Sequence, residues 1–119
     1  MTDDMLDAEK TPTAEALVKN IMLTTRRLAD ATAEESALED NRHNVKFAVT
    51  ERIMTSGDNK LTGKPHSFSS AEAAATADEE YMNYLERLRS ATRERILARG
   101  AYEAAIAAAR LREAAYRVE

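Results

Sequence analysis

The chain has 119 residues, one domain's worth, with a formal net charge of −4, no cysteine, no tryptophan and 5 % aromatics. Without thiols there is no disulfide framework, thiolate metal site or cysteine nucleophile, and so mild an acidity argues against bulk electrostatic capture of nucleic acid or an anionic membrane. Sparse Leu, Ile, Val and Phe beside abundant Ala suit long helices packed through small residues, and a lone helical hairpin of this size buries so little apolar surface that self-association is expected.

In chain order, residues 1–11 open with MTDDMLDAEK, which is acidic and has no apolar core. The segment reads as a flexible lead-in and not as a signal peptide. Thr11-Pro12 is a helix start signal, with Thr as cap and Pro in the first turn. From Pro12 to about Thr55 there is no Gly and no further Pro. Apolar or small residues recur there at Leu17, Ile21, Thr24, Leu28, Ala31, Leu38, Val45 and Val49, a 3-4 spacing that marks one helical face. Glu35 and Arg42 interrupt that face, so irregular helix packing is expected in place of an ideal coiled coil.

The stretch from Ser56 to Ser70, SGDNKLTGKPHSFSS, holds two of the three glycines and one of the two prolines. Its turn chemistry predicts the tip of a long antiparallel hairpin, a loop over residues 56–69. Ser69 with Glu72 three residues on fits a capping box, with Phe68 as the staple before it. The second helix is expected from Ser70 to about Val118. Apolar residues fall at Tyr81, Leu85, Leu88, Ile96, Tyr102, Ile106 and Ala109, and Gly100 is the one breaker. A glycine costs only about 1 kcal/mol in a helix, so continuity through Gly100 is expected.

The fold class is therefore all-α: a long antiparallel helical hairpin, coiled-coil-like, in a single domain over residues 1–119. Charge order agrees with the apolar order. Residues 1–40 and 71–86 are net acidic, whereas 41–70 and 87–119 are net basic. Folding at Gly63–Lys64 sets Leu38 by Leu88 or Arg89, Val45 by Tyr81 or Met82, and Ile21 by Ile106. The same register sets Asp30, Glu34, Glu39 and Asp40 level with Arg99, Arg93, Arg89 and Arg87, and Arg42 and Lys46 level with Glu86 and Glu80. At the open end, apolar residues cover more than one face of each helix. Leu17, Val18, Ile21 and Met22, with Tyr102, Ile106, Leu111 and Tyr116 opposite, form a candidate subunit interface, and a homodimer making a four-helix bundle is expected.

Candidate chemistry is thin. Lys60, Lys64 and His66 cluster on the tip beside the start of the second helix, where an anion or a partner's carboxylate would find cations and free N–H groups. LTGKPHS lacks P-loop spacing. The run Arg87, Arg89, Arg93, Arg95 and Arg99 invites a phosphate-binding reading, but the register sets acids against most of it. His43 has Glu39 one turn before it, yet no Glu-x-x-His occurs, so no metal is expected. There is no Gly-x-Ser-x-Gly elbow, and no catalytic residue, cofactor or enzymatic activity is expected. The longest apolar run, Ala104 to Ala109, is far short of a membrane span, which leaves a cytoplasmic protein with no membrane partner as the expectation.

Residues Lys60 to Ala75, KLTGKPHSFSSAEAAA, followed by a charged Ala/Arg-rich helix, resemble small helical proteins of unassigned role from tailed-phage and prophage genomes. Some of those lie near recombination and single-strand-binding genes. The resemblance implies a phage accessory protein with a partner in DNA metabolism or host takeover, and it transfers no site residue. Two functions follow as expectations. The first is a non-enzymatic interaction or scaffold protein whose partners are itself and another protein. The second is a nucleic-acid-binding accessory in phage recombination or replication.

Overall fold

The computed structural model describes residues 13–59 and 61–118. Helices α1 (Ala14–Asp40), α2 (Arg42–Ser56), α3 (Phe68–Ala75) and α4 (Glu79–Val118) make up the described chain. Among the described residues there is no strand, only an isolated bridge between Asp58 and Pro65. The chain is all-α.

The first expected helix exists but starts differently. The Thr11-Pro12 signal lies outside the described residues, as does the acidic lead-in over residues 1–11. The observed cap is Thr13: its Oγ1 accepts from the Ala16 N–H at 3.1 Å and its carbonyl from the Leu17 N–H at 3.0 Å. α1 and α2 form one bent helical run. At Asn41 the backbone sits at φ −89° and ψ −2°, while its N–H still donates to the Ala37 carbonyl. The Tyr84 hydroxyl donates to the Leu38 carbonyl, one turn before the bend. A side chain inserted at a helix carbonyl is a recognised cause of bending.

The second expected helix is two. α3 begins under Ser67, whose Oγ accepts from the Ser70 N–H at 3.1 Å. Ser67, not Ser69, is the cap, and Phe68 is the first helical residue. Thr76–Asp78 then interrupts the helix before α4. Asp78 restarts it, its Oδ1 accepting from the Glu80 N–H at 2.9 Å, with Glu79 and Glu80 in the positive first turn. α4 runs through Gly100 unbroken, as expected.

Contacts divide the chain into two compact units: Met1–Thr32 with Glu94–Glu119, and Ala33–Arg93. In the second unit the chain turns back antiparallel on itself. Leu38 packs with Leu88 and Ala91, with Tyr84 alongside. Val49 packs with Ala75 and Tyr81, flanked by Val45, Ile53 and Leu85. These are the apolar partners that the register predicts. α3 lies on α2, and the fully buried Ala71 and Ala75 let it approach closely. Thr50 is buried beside Val49, and its hydroxyl donates to the Lys46 carbonyl at 2.8 Å, so the core carries no cost for that polar group.

In the first unit the start of α1 packs antiparallel on the end of α4. Leu17 and Ala31 are buried on one helix, Ala98 and Ala105 on the other. Ile96 stands off this seam and is 56 % exposed. α4 buries alanines where α1 brings the larger Leu17, so the seam is a large-against-small fit. Arg27 Nε meets Glu94 Oε1 at 2.8 Å across it.

Candidate functional site

Ion pairing departs from the predicted register. Arg89 and Arg93 do not face Glu39 and Glu34 but both bind Glu86 of their own helix, at 3.1 and 2.9 Å. Their hydrogen bonds, that of Arg89 first, hold the Glu86 carboxyl below the usual carboxylate range. Arg42 does not reach Glu86: it meets Glu39 at 3.6 Å and donates to the Tyr81 hydroxyl at 3.3 Å. Glu80 pairs not with Lys46 but with Arg52, which also binds Asp78 at 2.7 Å. Lateral pairs within a helix and pairs one turn off level compete with level ones because exposed charges on flexible stems gain little from any single geometry. The apolar seam therefore sets the register, and the charges settle around it.

Arg42, Glu39, Glu86, Arg89 and Arg93 rim an open concavity floored by Leu85 and Leu88. Its charges are already partnered, which leaves little cationic character for a phosphate.

The tip is a closed turn. The Asn59 N–H donates to the Lys64 carbonyl at 2.7 Å, and the Asn59 side chain accepts from the Leu61 N–H at 2.9 Å. Gly63, at φ +69°, takes the left-handed conformation that the turn needs, and its N–H donates to the Asn59 carbonyl. Leu61 is 95 % exposed at the apex. Of the three tip residues singled out in the sequence, Lys60 lies outside the described residues. Lys64 is exposed. His66 is half-buried, with Nδ1 at 3.0 Å from Ser70 Oγ, which in turn donates to the Ser67 carbonyl. The third and fourth N–H groups of α3, those of Ser70 and Ala71, both donate to Ser67. His66 and the helix start are thus tied into the local cap.

His43 is exposed, and Glu39 before it binds Arg42. Among the described residues no three His, Asp or Glu side chains gather to hold a metal. Among them, too, no helix is long and apolar enough to cross a membrane.

The candidate interface residues fall into three states. Leu17 is buried inside its own chain. Ile21, Tyr102 and Ile106 are half-buried. Val18, Met22, Leu111 and Tyr116 are exposed, from 57 % to 73 %. Leu23 on α1 and Leu97 on α4 are also exposed and add to this surface. Leu97 falls outside the large-residue spacing that marks α4 in the sequence. Its signal is a second 3-4 repeat, carried mostly by alanine.

Compared with known protein families, curated proteins and solved structures, the chain matches none.

Proposed function

We propose that this chain is a non-enzymatic interaction or scaffold protein that pairs with itself through the unit built from the start of α1 and the end of α4. What supports this is the large apolar surface left uncovered there, Val18, Met22, Leu111 and Tyr116 above all. Side chains of that size, exposed on both helices of one small unit, are what a partner surface supplies. The pair would present its other helix faces and two tips to a further protein. The resemblance of residues 60–75 suggests a setting: a phage accessory factor acting on a host or phage protein.

A nucleic-acid accessory role is the competing reading, favoured by exposed Lys64 and the arginines of α4. The closure of Arg89 and Arg93 onto Glu86 weighs against it. Fluorescence anisotropy with single- and double-stranded oligonucleotides at two salt concentrations separates the two. A flat titration with folded protein, together with a dimer in sedimentation equilibrium, is the expected result. Salt-sensitive binding that disappears when Lys60 and Lys64 become glutamate would replace the interaction reading.

A further inference from the structure

Around α4 the side towards α1 is the buried seam of Ala98 and Ala105. One residue back along the sequence runs a second repeat: Leu97, Ala101, Ala104, Ala108, Leu111 and Ala115, with strict 4-3-4-3-4 spacing. Gly100, Ala107 and Ala114 widen it. No charged residue falls on this face from Leu97 to Ala115. Its two large members stand out in the open, Leu97 62 % and Leu111 73 % exposed. A helix carrying a second apolar stripe beside its first is built to pack on two sides.

Gly100 adds an independent sign. A glycine inside a 40-residue helix costs about 1 kcal/mol relative to alanine, and this one has φ outside the left-handed region. A Cβ built there meets nothing within 4 Å. Among the described residues of its own chain nothing gives the glycine a steric reason; a helix passing close in front of it would supply one.

The pattern also says which helix fits. Set a second α4 antiparallel across this face with the two-fold axis level with residue 106. Leu111 of each chain then lies over the partner's Gly100 and the partner's Ala101. Leu97 lies over the partner's Ala115, and Ala104 meets the partner's Ala108. Every large side chain faces small ones, so the axes can approach to about 8 Å. Charge agrees at the edge: Glu103 comes within one residue's rise, ~1.5 Å along the axis, of the partner's Arg110, and the symmetry repeats the pair. Both side chains are exposed, and among the described residues neither has an ion-pair partner within its chain. Parallel packing would instead place the two Glu103 side chains on opposite edges of the pair, each away from the partner's Arg110.

We infer that the Leu97–Ala115 face of α4 is a two-fold interface that binds the same face of a second copy of this chain, antiparallel. It rests on the reading of the protein as self-associating and gives the α4 part of that association its residues and direction. A face ~27 Å long buries on the order of 900 Å² in total, the size of a weak, reversible contact, so the dimer is concentration-dependent.

The chain has no cysteine, which makes the test clean. Ala104→Cys and Ala108→Cys proteins, one carrying a mass tag, are mixed and oxidised. The antiparallel face predicts mainly the mixed 104–108 disulfide, since those Cα atoms fall within bridging distance. In sedimentation equilibrium, Glu103→Arg or Arg110→Glu alone should raise the dissociation constant roughly tenfold, and the double swap should restore it. Circular dichroism of the same samples checks that these exposed changes leave the helices intact. A monomer at all concentrations would overturn both this interface and the self-association reading. A dimer indifferent to both charge changes, with homodisulfides as frequent as mixed ones, would overturn this interface alone.

Discussion

Asp78 uses both carboxylate oxygens: Oδ1 caps α4 at the Glu80 N–H, and Oδ2 takes the Arg52 guanidinium from α2. The Arg52 hydrogen bond holds the Asp78 carboxyl below the ordinary aspartate range, against the opposing effect of desolvation. Glu94, beside Arg27, is lowered in the same way. A carboxyl depressed on folding favours the folded state fully above its unfolded value, and that contribution is lost as pH falls towards the depressed value. Thermal stability is therefore expected to hold from neutral pH down to the ordinary carboxylate range, about 4, and to decline below it. Melting temperatures between pH 7 and 3 check this, and Asp78→Asn should show a shallower acid decline than the parent. Asp78→Ala should cost about 1 kcal/mol in denaturant unfolding at pH 7, the usual worth of a helix cap. The sequence carried this cap plainly, Asp followed by two Glu, but the long helical spacing from Ser70 onward masked it. A helix that breaks for three residues and restarts keeps nearly the same periodicity.

Among the elements, the bend at Asn41 and the seam of α4 were unequally legible. No Gly or Pro marks Asn41, and the Tyr84 hydroxyl that reaches the Leu38 carbonyl comes from another helix. Local sequence cannot report a contact made 46 residues away. Tyr84→Phe removes that donor and is expected to cost about 1 kcal/mol of stability, with faster amide exchange confined to the turns around Asn41. The apolar pairing of Leu38 with Leu88 and Val45 with Tyr81 was readable because both helices carry large residues there. Beyond Glu94 it was not, because Ala98 and Ala105 do the burying while Ile96 faces out. Alanine promotes helix wherever it stands, so its role as a packing surface shows only once a larger opposite residue such as Leu17 is in place. Ion pairs were the least legible, since each is worth a fraction of a kcal/mol and is decided by rotamers.

At the scale of the whole molecule, the two units differ in how the chain closes them. The unit Ala33–Arg93 is continuous in sequence, whereas the other joins segments separated by roughly sixty residues. Val49 is 1 % exposed in the continuous unit, and Val49→Ala should cost about 2 kcal/mol there. Hydrogen exchange followed by mass spectrometry should then show faster opening in both units, because losing the continuous unit leaves a long open loop between the halves of the other. Closing such a loop costs about 4 kcal/mol of chain entropy plus a constant. Leu17→Ala, in the discontinuous unit, should speed exchange there and leave the Val49 region unchanged. The same asymmetry sets an order on synthesis. A growing chain can complete its tip as soon as α4 has begun, yet Leu17 has no cover until residues 94–118 exist. Until then the start of α1 is a helix with an uncovered apolar face, available to a chaperone or to a neighbouring nascent chain on the same message.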